Sequence, residues 1–230
     1  MRAAAAATVG ADVEIRIEHL EDLSPQNTAE RALALAQDCH AICVTTAVHP
    51  LVMQAIETIQ AKGVPVFALI SQLSATGQVN YVGLDNWKVG RTAGWAISQI
   101  CKASGKVGIL MGNPRYRNQE MNETGFRSYF REHAPDFTLL EPLSTFESSA
   151  VAQEMTEKLL RDHPDLVGLY VAGGGTRAAV LSQQDPYADR QPVVAAADAS
   201  ITVLPEYSRM LSLDLFAVSK DMAPAQLKQM

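Results

Sequence analysis

The residues with the clearest chemical potential are two aspartates at the ends of apolar runs. Asp85 closes the run 81–84 and is followed by Asn86, while Asp198 closes the run 191–197. Carboxylates carried at strand ends in different halves of a chain could work as a general acid/base pair. They could equally receive the hydroxyls of a polar ligand, because an ionised carboxylate oxygen is a strong hydrogen-bond acceptor. The triplet Gly173-Gly174-Gly175 also follows an apolar run. It could present backbone amides to an anion at a helix start, or it could simply make a tight turn.

Other chemistries lack their residues. The sequence has no Gly-x-Ser-x-Gly elbow, no phosphate loop ending in Gly-Lys-Ser/Thr, and no Gly-x-Gly-x-x-Gly after a first strand. His19, His40, His49, His133 and His163 are scattered without metal-ligand spacing, so no metal and no cofactor is expected. His133 and His163 read as helix C-terminal residues. Cys39, Cys43 and Cys101 form no disulfide or metal framework, and their odd number suits a reducing cytosol. Cys39 and Cys43 flank an apolar strand and read as inert packing.

The elements that must position these groups alternate with regularity. The alternating pattern at 13–17 predicts a half-exposed strand. Ser24 and Pro25 supply a cap and first-turn proline for a helix to about residue 38. A strand at 41–45 precedes a helix opened by Pro50, and 64–70 is a fully apolar strand of the parallel-sheet kind. Residues 81–84 read as a buried strand. The helix after them should turn Gly90, Ala93 and Gly94 toward it and put Trp95 in the core. The second half repeats the grammar: strands at 106–111, 137–141, 166–171 and 191–197, with helices through Phe126 and over 148–162. Residues 210–218 form a last apolar stretch, and 223–230 begin a helix.

Strict alternation of β and α elements implies parallel sheets with right-handed crossovers. The number of strands and a break at 102–105 predict an α/β chain of two doubly wound lobes with a ligand cleft between them. The lobes would run over 1–103 and 104–230, with 210–230 able to cross back to the first. At 230 residues and 47% hydrophobic composition the chain can bury real cores. A net charge of −6 without a basic stripe excludes general nucleic-acid binding. Asp12 and Glu14 cut the N-terminal alanine run too short for a secretory signal, and no run approaches the ~18 apolar residues of a membrane span.

Three stretches resemble one superfamily. Tyr81-Val-Gly-Leu-Asp85-Asn86-Trp-Lys-Val-Gly90-Arg-Thr-Ala-Gly94 is similar to a segment of the effector domains of lactose-repressor-type regulators and of periplasmic sugar-binding proteins. Arg117-Asn-Gln-Glu-Met-Asn122-Glu-Thr-Gly-Phe126-Arg-Ser-Tyr-Phe-Arg-Glu132 resembles the helix after the first strand of their second lobe. His163-Pro-Asp-Leu-Val-Gly-Leu-Tyr-Val-Ala-Gly-Gly-Gly175 resembles the strand and ligand loop that follow. The likeness covers about 10–220.

The resemblance implies a type I periplasmic-binding-protein-like module, lacking its first strand, that closes on a small ligand, usually a sugar or sugar derivative. It implies a binder and not an enzyme. The first reading is the effector domain of a transcriptional regulator, cytoplasmic and homodimeric, meeting DNA only through a helix-turn-helix absent from this chain. The alternative is the solute-binding protein of an ABC sugar transporter that has lost its signal peptide. By position, Asp85 with Asn86 would be the first-lobe acceptor and Asp198 the second-lobe carboxylate. Gly174 falls near a position that is often a ligand-contacting Asn or Asp. Asn122 stands where the family usually has a ligand-binding arginine, for which Arg115 or Arg117 could substitute.

Overall fold

The computed structural model describes residues 5–7, 9–10, 12–75, 77, 79–176, 179 and 192–197. Its first half is a small sheet with two helices. Helix α1 (Pro25–Leu35) starts where Ser24 accepts the amide of Asn27 and proline occupies the first turn, and it buries Thr28, Ala29 and Ala32. Strand β1 (Ile42–Val44) leads to helix α2 (Pro50–Ala61), capped by the His49 ring nitrogen accepting from the Leu51 amide. Val52, Ile56 and Ile59 recur at helical spacing and lie in one core with Val66 and Ala68. Strands β2 (Val66–Leu69) and β3 (Asn80–Val82) complete a parallel sheet in the order β1-β2-β3.

The second half is larger and wound on both faces. It comprises helix α3 (Asn86–Ile100), strand β4 (Lys106–Met111), helix α4 (Arg117–His133) and strands β5 (Thr138–Leu139) and β6 (Leu143–Ser144). Helix α5 (Ser149–Asp162) and strands β7 (Leu166–Val171) and β8 (Val193–Ala196) follow. All pairings are parallel, in the order β5-β4-β7-β8, with β6 taking the outer edge of β4 beyond β5. Alternation along the strands splits the core in two. Val107, Ile109 and Tyr170 meet α3 and α4, while Leu110, Leu169 and Val171 meet Leu159 of α5. Phe126 stacks on Tyr170 with ring centroids 4.3 Å apart.

Helix α3 packs with the second sheet. Ala93 and Ile97 belong to the core around β4 and β7, and α3 lies along α4 at backbone contact. No Cβ fits at Gly90, which touches the Asn122 carbonyl, or at Gly125, which touches the Trp87 carbonyl. Arg91 straps the pair, donating to Ser128 Oγ at 3.1 Å and Glu132 Oε2 at 2.9 Å. The small residues of α3 thus admit a helix and not the preceding strand.

Other expectations also change. Residues 13–17 form no strand: Val13 and Ile17 are exposed, and Arg16 and Arg31 pair with Glu18 instead. The stretch expected as a buried strand at 81–84 is a three-residue edge strand exposed at both ends, because β3 has only β2 beside it. Trp95 is 44% exposed on the outer face of α3, and Cys43 is exposed. The strand expected at 137–141 shrinks to β5, and a further short strand, β6, follows beyond Pro142. The expected apolar stretch at 210–218 and helix at 223–230 lie outside the described residues. No described helix is long and apolar enough to cross a membrane.

Candidate ligand-binding site

The carboxyl ends of the two parallel sheets face one another. The loop after β1 reaches the loop after β4, with the Val48 amide donating to the Arg115 carbonyl at 2.9 Å. The segment after β2 reaches the start of α4, with the Asn118 amide donating to Ser71 Oγ at 3.4 Å. Open α/β sheets bind ligands in the crevice outside the carboxyl ends of their strands. Two such ends are here brought together.

At the first rim Asp85 is the N-cap of α3. It accepts the Lys88 amide at 3.2 Å and stands 3.2 Å from the Lys88 ammonium, with its side chain 53% exposed. Asn86 turns back toward the sheet, donating to the Tyr81 hydroxyl at 3.0 Å and toward the Ile70 carbonyl at 3.4 Å. The Tyr81 hydroxyl in turn lies 3.0 Å from the Ile70 carbonyl and 2.8 Å from that of Leu84. Burial pushes this phenol above its ordinary pKa, so it stays a donor at neutral pH. The Ile70 carbonyl belongs to a strained segment: Ile70 has φ +65°, and the Ser71 amide donates to the Leu69 carbonyl at 2.6 Å. That is a γ-turn of the rare hand, uncommon for a β-branched residue. A hollow of about 390 Å³ opens beside it, lined by Gln72, Tyr81, Asp85, Trp87 and Met121.

At the second rim a turn from Thr145 to Ser148 places Phe146 and Glu147 both at left-handed backbone angles, φ +53° and +60°. The turn is bolted to the sheet: the Thr145 amide donates to the Met111 carbonyl at 2.7 Å, and the Phe146 amide to the Gly112 carbonyl at 2.8 Å. Thr145 Oγ1 donates to the Gly174 carbonyl at 3.1 Å. Phe146 is left 73% exposed. Glu147 folds over the ends of β4 and β7, filling space that a side chain at Gly112 or Gly174 would need. Non-glycine residues at positive φ concentrate at functional sites, and these flank the cleft from both sheets.

The site residues expected from sequence are dispersed by this geometry. Asp85 and Asn86 stand at the first rim in the roles just given. Gly174 is at the second rim, where its missing side chain makes room for Glu147. Asn122 is 1% exposed, donates to the Ala172 carbonyl at 3.2 Å, and keeps a buried Oδ1 with no partner. Arg115 contributes its backbone carbonyl to the contact with Val48, and the Arg117 guanidinium pairs with Glu120 at 2.6 Å. Asp198 lies outside the described residues. Glu147, Gln119, Phe146, Ser71 and Tyr81 were not singled out as site residues from sequence. The available signal was position: each lies within a few residues of a parallel strand's carboxyl end or of the helix start that follows one. His133 and His163 end their helices as expected, and no group of described residues has the makings of a metal centre.

The comparisons with known proteins agree with this architecture. A curated relative, the D-apiose import binding protein of Paraburkholderia graminis, is 25% identical over 192 residues, covering 83% of this chain and 60% of its own length. The chain therefore spans less than two thirds of that relative. A solute-binding protein of an ABC transporter from Agrobacterium vitis, solved with α-D-tagatopyranose, superposes with a TM-score of 0.73 at 21% identity. The match covers 84% of this chain and 68% of that one. Another from Burkholderia graminis, in complex with D-arabinose, gives a TM-score of 0.71 at 18% identity over 85% of this chain and 65% of that one.

These findings correct the cellular placement. The cytoplasmic expectation rested on cysteine number and on the N-terminal alanine run, and three unpaired cysteines are compatible with either compartment. The family itself, with its D-apiose import binding relative, points to the periplasm. The family's description, periplasmic binding protein domain, is carried by a model that matches residues 3–207, and this chain belongs to that family.

Proposed function

We propose that this chain is the solute-binding component of a sugar importer of the ABC type, gripping its ligand between the carboxyl ends of the two sheets. The observation that carries this reading is the facing pair of rims, bridged at Val48–Arg115 and Asn118–Ser71, with an aromatic ring left exposed on the second. An exposed Phe146 beside a carboxylate, a carboxamide and hydroxyls is chemistry suited to a sugar, whose C–H face is apolar and whose rim is polar. The relatives named above carry D-apiose, tagatopyranose and arabinose in their descriptions, which favours import over gene regulation. The regulator reading, with its homodimer and its DNA contact, gives way to this alternative.

We assign the two gripping bodies by core membership, with α1 to β3 on one side and α3 to β8 on the other. Asp85, Phe146, Glu147 and the start of α4 would meet the ligand. The test is a thermal-shift screen of the purified chain against pentoses and hexoses, D-apiose, D-arabinose and D-tagatose among them. A ligand at 100 times its Kd should add about 2.7 kcal/mol of stability. Trp87, which lines the hollow at the first rim, should report closure by a change in emission. Absence of a shift with any sugar would overturn the proposal.

A further inference from the structure

Among the described residues the second rim is short of hydrogen-bond donors. Glu147 carries one negative charge that no lysine, arginine or histidine among the described residues answers: Arg117 is paired with Glu120, and Arg127 with Glu123. Its hydrogen-bond partner among the described residues is Gln119, whose Nε2 donates to Oε1 at 2.7 Å. The Gln119 amide cannot turn over to offer more, because its own Oε1 accepts the Asn113 amide at 2.9 Å. Beside it, Asn118 and Asn122 lie one helical turn apart on α4, each with a buried Oδ1 that receives nothing. Asn122 cannot relieve this by rotating its amide, since its Nδ2 is committed to the Ala172 carbonyl. Burial, and then the Glu147 charge, hold the Tyr116 phenol above its ordinary pKa, so no second anion forms there.

Buried acceptors without donors are costly, and a ligand that supplies the donors removes the cost. Glu147 also stands at the N-terminal end of α4, the place where the helix would otherwise attract an anion. The carboxylate occupies it already. Its position is enforced, since the turn that carries it is tied to β4 by two backbone hydrogen bonds and the strand ends beneath it are glycine.

We propose that Glu147 sets the charge class of the ligand: the second rim takes an uncharged polyhydroxy compound through its hydroxyl donors and turns away derivatives bearing a carboxylate or phosphate. This rests on the sugar-binding reading and narrows it. A neutral sugar gives the half-buried Glu147 carboxylate hydroxyl protons. An acidic one brings more acceptors and a like charge against a carboxylate that water screens only partly.

The experiment is calorimetric titration of the whole chain with the best sugar from the thermal screen and with its uronic acid and its phosphate ester. The wild-type chain should prefer the neutral sugar by at least roughly tenfold, the cost of one unscreened like-charge contact. Glu147→Gln should narrow that preference several-fold by strengthening the acidic ligands. Glu147→Asp, which keeps the charge, should retain most of it, and melting curves on both variants establish that they fold. An unchanged preference in Glu147→Gln, or a wild-type chain that prefers the acid, overturns the assignment of Glu147 and leaves sugar binding standing. A chain that binds neither neutral nor acidic sugar overturns the sugar reading, and this proposal with it.

Discussion

At the first rim the polar groups answer one another. Asp85 is engaged by the Lys88 amide and ammonium, Asn86 by Tyr81, and the Tyr81 hydroxyl by the carbonyls of Ile70 and Leu84. At the second rim they do not. Among the described residues Glu147 has one donor for two oxygens, and two asparagine oxygens behind it have none. The first arrangement holds a strand end and a helix start in fixed relation, so it can serve as an anvil whether or not a ligand is present. The second retains, among the described residues, hydrogen-bonding capacity that an incoming molecule can fill. A carboxylate at a strand end is therefore not one kind of thing. Its meaning depends on whether its own backbone has already claimed it.

The largest expected effect comes from breaking the element that both rims share. Helix α3 begins at the first rim and α4 begins between the two, and they meet through backbone contact at Gly90 and Gly125. Backbone cannot step aside as a side chain can. Gly125→Ala should cost about 1–3 kcal/mol, as overpacked cores do, and Gly90→Ala a similar amount. Urea unfolding midpoints would show it, and midpoints within error of the wild type would mean that the helices slide apart at little cost. Because α3 packs on the second sheet, this loss should appear in the cooperative unfolding of that half.

How much of this was legible in the sequence follows from range. The capped helices, the apolar central strands and the alternation that makes the sheets parallel are local signals, and α1, α2, α4, α5, β4 and β7 lie close to where propensity and periodicity put them. The misses are tertiary. The alternation at Val13 to Ile17 predicts a strand, but a strand needs a partner, and Glu18 instead gathers Arg16 and Arg31. Gly90 and Gly94 announce a close approach without saying to what. In the site, Asp85 stood out because it ends an apolar run, and the same position makes it an N-cap. Glu147 was invisible because the strand before it, β6, is two residues long and is formed only by pairing with β4.

The next effect sharpens the contrast by testing whether Asp85 is spoken for. Asp85→Ala should cost about 1 kcal/mol through loss of the α3 cap. Asp85→Ser, which can still accept from the Lys88 amide, should recover most of that stability. Sugar affinity then separates the roles. A cap alone predicts near-wild-type binding in the serine variant, whereas a carboxylate used directly by the ligand predicts a loss of about 1.5–3 kcal/mol in that variant despite its restored stability.

A smaller effect, of mixed sign, is expected at Phe146. A left-handed residue that is not glycine costs about 1–2 kcal/mol, and glycine returns part of that through the entropy of its unfolded chain. Phe146→Gly should therefore stabilise the free protein by roughly 0.5 kcal/mol while weakening sugar binding, since the exposed ring is lost. A stabilised variant that binds as well as the wild type would remove Phe146 from the site and leave its backbone strain without a function.

The smallest effect lies at the far end of the α3–α4 seam and should leave both rims untouched. Glu132 accepts from Ser128 and from Arg91, and these hydrogen bonds, the Ser128 one foremost, hold its carboxyl below the ordinary carboxylate pKa. A group whose folded pKa is depressed contributes stability above its unfolded value, and that contribution is lost as pH falls through the folded one. Melting temperature should consequently drop more steeply for the wild type than for Glu132→Gln as pH falls from about 5 to 3, with the two curves parallel above that window. Glu18, Asp162 and Asp165 are depressed as well, by Arg31, Lys158 and Lys106, so only the difference between the two proteins isolates Glu132. The side chain is exposed, and solvent screening keeps the difference small. Sugar affinity at neutral pH should be equal in the two. If Glu132→Gln instead weakened binding, the strap at Arg91 would be transmitting to the rims, and the division between a self-satisfied rim and a ligand-dependent one would have to extend along the whole helix pair.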